Sequence, residues 1–159
     1  MNEVGQIIIR RLARGDLDQY RQLMAMFGKA FGEQGTYTAE PPRDTYAEQL
    51  LDSDRFIALV ALAGEEVVGG LAAYVLAKFE QERQEIYIYD LAVAAAQRRK
   101  GMATALIDHL KRIAKSLGAH VIFVQADQGD DAAIALYSKL GRREDVLHFD
   151  IETGRAEDD

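Results

Sequence analysis

Apolar residues recur along the chain with two periods, and each change of period marks a new element. Ile7-Ile8-Ile9 reads as a first strand. Gly15 and Asp16 end that run, and Asp16 with Gln19 three residues on fits a capping box. Leu17, Tyr20, Met24, Phe27 and Phe31 follow at spacings of 3, 4, 3 and 4, which predicts a long amphipathic helix with Met24, Phe27 and Phe31 in the core. Gly32 to Arg43, ending in Pro41-Pro42, reads as loop, and Asp44 can cap a short helix through Tyr46 and Leu50. Phe56 to Ala63 and Val67 to Lys78 are strands joined by a hairpin turn at Gly64-Glu65-Glu66. Gly69-Gly70 inside the second strand implies a bulge or a close backbone approach.

After a charged connection from Phe79 to Gln84, Ile86 to Val93 is rich in β-branched and aromatic residues and reads as a strand. A basic turn, Arg98-Arg99-Lys100-Gly101, leads into a helix carrying Met102, Leu106, Leu110, Ile113 and Leu117 on one face and stopping at Gly118. Val121-Ile122-Phe123-Val124 shows no alternation, as expected of a strand covered on both faces. Residues 86 to 126 then make one β–α–β unit with a right-handed crossover. Asp130 or Asp131 caps a further helix with Ala133, Leu136, Tyr137 and Leu140 on one face, closed by Gly141. Val146 to Ile151 is a last strand, and Glu152 to Asp159 is a polar, frayed tail. The predicted fold is α/β, a single domain over residues 1–151 followed by the tail 152–159. Its mixed twisted sheet should have about six to seven strands, with about four helices on both faces.

Composition narrows the chemistry. A chain of 159 residues with 48% hydrophobic content can bury a real core. No run approaches the ~20 apolar residues of a membrane span, and Met1 to Gly5 lack a signal-peptide pattern. The absence of cysteine excludes disulfides, thiolate zinc sites and a cysteine acyl-enzyme, and points to a cytoplasmic location. A net charge of −7 argues against nucleic acid and favours a cationic partner. His109, His120 and His148 have no spacing that builds a metal site. No P-loop and no G-x-G-x-x-G after a strand is present.

The basic turn is the strongest local signal. A strand feeding a helix through such a turn aims unpaired N–H groups and the positive helix end at one point, which suits an anion. Arg98-x-x-Gly101-x-Ala103 resembles the pyrophosphate-binding signature of the GCN5-related N-acetyltransferases (GNAT). A second block, Asp131-Ala132-Ala133-Ile134-Ala135-Leu136-Tyr137-Ser138-Lys139-Leu140-Gly141, resembles that family's later capped helix, apart from Arg142, where most members have an aromatic residue. Phe56-Ile57-Ala58-Leu59, Leu71 to Leu76, Lys78-Phe79-Glu80-Gln81, Glu85 to Val93 and Val124 to Asp127 resemble the aminoglycoside 3-N-acetyltransferases of this superfamily. The likeness runs from about Ile7 to Ile151 and is most distinctive from Lys78 to Val93.

What the resemblance implies is transfer of acetyl from acetyl-CoA, as co-substrate and without metal, to the 3-amino group of a 2-deoxystreptamine antibiotic such as gentamicin. It assigns the pantetheine amides to the backbone of Leu91, Ala92 and Val93. The diphosphate goes to Arg98, Arg99, Lys100, Gly101, Met102, Ala103 and Thr104, with Ala133 as a further cofactor contact. Asp90 is an acid in an apolar strand, so it should face water or a cation, and it is the candidate to bind and help deprotonate the acceptor amine. With a usual pKa of ~3.9 it is a weak base at neutral pH unless raised. Tyr137 is the candidate beside the thioester sulfur. Full proton donation from a phenol (~10) to a thiolate (~8.5) is uphill by roughly 2 kcal/mol, so stabilisation of the leaving sulfur by a hydrogen bond is the expected role. Asp127, Asp130, Glu85 and Asp150, with Glu80, would supply negative field for a polycationic acceptor. A homodimer is expected. An acetyltransferase for polyamines, peptides or protein lysines, and a CoA-binding regulator without turnover, are the competing readings.

Overall fold

The alternating residues of the second predicted strand are apolar on both sides, so it must be sandwiched, and it lies inside the sheet. The computed structural model describes residues 6–154. Met1–Gly5 and residues 155–159, where the leader reading and most of the tail fall, lie outside the described residues. Contacts divide the chain into two compact units, Met1–Gln125 and Ala126–Asp159.

The first unit contains β1 (Ile7–Arg11), α1 (Leu17–Phe31), α2 (Gln34–Thr38), α3 (Asp44–Leu51), β2 (Phe56–Ala63), β3 (Glu66–Ala77), β4 (Gln84–Val93), α4 (Met102–Leu117) and β5 (Ala119–Val124). Its five strands lie in sequence order, antiparallel from β1 to β4 and parallel between β4 and β5. The sheet is therefore mixed, as expected, with five strands among the described residues rather than six or seven. Phe56, Ala58, Val60 and Leu62 of β2 pack with Tyr20, Leu23 and Phe27 of α1 and Ala47 and Leu51 of α3. The intervening Ile57, Leu59 and Ala61 point the other way. They are buried with Leu71, Ile86, Ile88 and the Leu106–Leu110 stripe of α4.

Gly69 and Gly70 show why small residues sit mid-strand. A Cβ on Gly70 would lie 2.4 Å from Leu23 Cδ1 and 2.7 Å from the Leu59 carbonyl oxygen, while one on Gly69 would lie 3.0 Å from the Met102 sulfur. The neighbouring bulge falls at Val68, because Leu62 pairs with Val67 and Ala61 with Gly69.

Several expectations change. The buried stripe of α4 is Met102, Leu106, Ile107, Leu110 and Ala114, and Leu117 is exposed. Asp16 is the N-cap residue of α1, but no capping box forms: its carboxylate accepts from the Ala13 N–H at 2.7 Å and from Arg10 at 2.6 Å, and Gln19 accepts from Arg10. Asp44 lies inside α3, whose N-cap is Arg43, and accepts from Arg21 at 2.7 Å. The stretch read as loop holds α2. β5 is an edge strand, not covered on both faces, and Val121 is exposed. A short apolar run reads the same at either position, because its neighbours are set by distant sequence.

Among its described residues the second unit holds one helix, α5 (Asp131–Leu140). Asp130 is its N-cap, with Oδ1 accepting from the Ala133 N–H at 3.2 Å, and the Gly141 N–H donates to the Tyr137 carbonyl at 2.9 Å. Val146 to Ile151, expected as a strand, forms no strand, and its apolar residues are exposed. A strand exists only as part of a ladder, and this unit contains no other strand among its described residues.

Candidate functional site

β4 changes character halfway along. From Gln84 to Ile88 it pairs with β3 on one side and β5 on the other, and the last β5 pair is Ile88 with Val124. From there to Val93 it pairs with β3 alone. Among the described residues, the β5-side edge of Tyr89–Val93 carries no strand. An extended ligand can add to such an edge through its amides.

A bulge lies at the same place. Ala72 faces Asp90 but Ala73 faces Ile88, so Tyr89 is an extra residue on β4. Strict alternation would send Asp90 after Ile86 and Ile88 onto the α4 face. The extra residue brings it to the face of Ala72, which belongs to the α1 cluster. There the Tyr37 hydroxyl donates to Asp90 Oδ2 at 2.7 Å. Burial raises the Asp90 carboxyl above its ordinary value; the Tyr37 bond works against this, and the negative charge of Glu33 adds to it. The Tyr37 hydroxyl is pushed well up by burial first, then by its bond to Asp90 and by the charges of Asp90 and Glu33. Tyr37 is fixed by ring packing. Its centroid lies 5.9 Å from Phe27 and 5.8 Å from Phe31, and those two rings stack at 5.5 Å.

Tyr37 was missed in the sequence. Its segment is polar, has no clear period and forms a helix of only five residues. The available signal was one aromatic residue four positions before the Pro41-Pro42 pair.

The basic turn follows β4 as expected. Ala95–Gln97 forms a 3₁₀ turn, Arg99 has φ 65° and Gly101 has φ 76°, and α4 starts at Met102 without a side-chain cap. A Cβ on Gly101 would meet nothing within 4 Å, so the backbone angle itself selects glycine here. Among the described residues, no N–H from Arg99 to Thr104 donates to an acceptor. Arg98, Arg99 and Lys100 are exposed, and Arg98 Nε donates to the Val93 carbonyl at 3.1 Å. Met102 buries its side chain, leaving its backbone for the turn. The donors and charges fit a diphosphate.

Within the first unit, the acidic residues proposed with Asp90 are engaged away from it. Glu85 lies at the far end of β4, five residues before Asp90 and so ~17 Å along the strand. It is 3.7 Å from Lys78 and 3.4 Å from His120. Glu80 pairs with Lys78 and Arg83. In the second unit Asp130 is occupied as a cap, Asp150 pairs with His148 at 2.8 Å, and Asp127 is exposed. Tyr137 is partly buried on α5, and its phenol is raised by burial and then by the Asp130 charge.

Residues 20–141 match the model of the acetyltransferase (GNAT) family. An aminoglycoside acetyltransferase from an uncultured soil metagenomic sample superposes with a TM-score of 0.92 at 56% identity, covering 94% of this chain and 99% of that one. A second such acetyltransferase of the same kind of source, in complex with sisomicin, has a TM-score of 0.86 at 33% identity, covering 93% and 97%. The N-acetyltransferase 8B of Rattus norvegicus is 27% identical over 90 residues, which span 57% of this chain and 40% of that protein.

Proposed function

The chain belongs to the acetyltransferase (GNAT) family, and from that premise we propose that it transfers acetyl from acetyl-CoA to the 3-amino group of 2-deoxystreptamine aminoglycosides of the gentamicin type. The observation that carries this reading is Asp90, a partly buried carboxylate turned out of the sheet by a bulge and tied to Tyr37 at 2.7 Å. Likeness to two aminoglycoside acetyltransferases, one of them bound to sisomicin, supports the acceptor class. The 3-amino position rests on the sequence resemblance of Lys78 to Val93.

The acceptor reaches the enzyme as an ammonium and must lose a proton before its nitrogen attacks the thioester carbon and the C–S bond breaks. Asp90 accepts or relays that proton. Its raised pKa makes it a better base than an ordinary aspartate. Tyr37 occupies Oδ2 and leaves Oδ1 for the nitrogen. The N–H groups of residues 99–104, with the nearby basic side chains, hold the diphosphate, and Leu91 to Val93 pair with the pantetheine amides. Ala133 is the further cofactor contact, and Tyr137 stabilises the leaving sulfur. Asp127 and Asp130 add negative field at the acceptor. Glu85 and Asp150 are already paired and contribute less.

Mass spectrometry of gentamicin after incubation with enzyme and acetyl-CoA, with NMR of the product, tests this. One acetyl group on the 3-amino nitrogen is the expected result. Acetylation elsewhere removes the positional assignment, and no acetylation removes the acceptor class.

A further inference from the structure

Four aromatic rings form a row across β3, β4 and β5, beside Asp90. Tyr74 meets Tyr89 edge-on at 5.8 Å between centroids, Tyr89 meets Tyr87 at 5.8 Å, and Tyr87 stacks on Phe123 at 4.7 Å with 4° between planes. Tyr74, Tyr87 and Phe123 lie on one face because Tyr87 is the direct cross-strand partner of both others. The extra residue that turns Asp90 outward is Tyr89 itself. None of the four rings belongs to the buried core, and Tyr89 is 61% exposed. The Tyr87 hydroxyl donates to Gln125 Oε1 at 2.9 Å, which fixes that ring in place. A contiguous row of aromatic rings, Tyr74 and Tyr89 exposed and Tyr87 and Phe123 half-buried, next to the proposed site carboxylate marks a binding surface.

We infer that this row is the platform on which the rings of the acceptor lie, and that it selects amino-substituted saturated rings over flexible linear amines. The inference rests on the acetyl-transfer reading for the role of Asp90. A saturated ring bearing hydroxyl and ammonium groups has apolar C–H faces and a polar rim. Its faces pack on tyrosine and phenylalanine rings, and the phenolic oxygens remain for the rim. Its ammonium groups gain from lying over π faces and from the charges of Asp90 and Glu33. A linear amine offers the charge but no ring face. The charge complementarity, and the continuity of the row with Asp90, favour such a cation over a second copy of this acidic chain.

The test compares wild type with Tyr89→Ala and Tyr89→Phe. The readouts are steady-state kinetics with gentamicin, calorimetric titration of gentamicin and of spermidine, and sedimentation. Tyr89→Ala should raise the gentamicin KM and dissociation constant roughly 3- to 30-fold, the range of a lost cation–π contact, with the effect in KM rather than kcat. It should also narrow the preference for gentamicin over spermidine. Tyr89→Phe keeps the ring and should restore gentamicin binding. Unchanged gentamicin affinity in Tyr89→Ala, and again in a Tyr87→Ala, Tyr89→Ala double variant, overturns the platform. So does a change of oligomeric state at unchanged gentamicin affinity, which would assign the row to a contact between copies. Wild type that binds gentamicin without acetylating it ends the transfer reading alone, and the calorimetry of the variants still decides the platform.

Discussion

The two halves of β4 differ in almost everything except backbone conformation. Gln84 to Ile88 is laddered on both sides and buries Ile86 and Ile88 against α4. Tyr89 to Val93 is laddered on one side, carries a bulge, and presents an acid with an elevated pKa. The first half is scaffold and the second carries the residues proposed for the site, and one inserted residue separates them. A carboxylate proposed to work on an acceptor need not be placed by a loop. A strand can place it if its register slips once and its neighbour ends early.

The difference can be broken from the scaffold side first. Ile88→Ala should cost about 3 kcal/mol of stability, measured by urea unfolding, because it empties a packed position. Two residues on, Asp90→Asn should leave acetyl-CoA binding intact and lower transfer to gentamicin by roughly 10²-fold or more. Its stability should move the other way. Burial raises the folded-state carboxyl pKa, so ionised Asp90 disfavours the fold. Wild type is relatively most stable below the unfolded pKa and loses that advantage as pH rises through the folded value. Asp90→Asn should therefore gain thermal stability over wild type at neutral pH and lose that gain in acid, as melting curves across pH would show.

Much of this contrast was readable beforehand. The apolar run Ile86–Val93 with one acid in it, and the basic turn ending in Gly101, are local signals. Gly69-Gly70 was expected as a bulge or a close approach; the close approach is at the glycines and a bulge lies beside them at Val68, whereas the bulge that orients Asp90 depends on pairing between distant strands and left no local mark. The edge position of β5, the contribution of Tyr37 and the unpaired state of Val146 to Ile151 were hidden for the same reason. Each is decided by what lies alongside rather than by composition.

The turn after the open half gives a smaller effect. Gly101→Val should weaken acetyl-CoA binding about tenfold by calorimetry, because φ 76° costs a side chain roughly 1–2 kcal/mol and the turn must relax. This differs from simple crowding, since a Cβ there meets no neighbour within 4 Å. The smallest effect should come from Tyr37→Phe. Loss of the O–H donor destabilises the ionised carboxylate, so the acidic limb of the kcat/KM profile for gentamicin should move to higher pH, with a fall in kcat of a few-fold. A profile identical to wild type would detach Tyr37 from the working state of Asp90.

The early end of the β4–β5 ladder has a thermodynamic corollary. Half of an interior strand of the sheet lacks a neighbour that the chain supplies among its described residues. A ligand that lies along that edge completes the sheet, so its binding energy adds to the cohesion of the fold through mass action. The backbone amides of Tyr89 to Val93 should then report the metabolic state of their surroundings. Their exchange with solvent would slow on addition of acetyl-CoA if its pantetheine lies along that edge, and would stay unchanged if it does not.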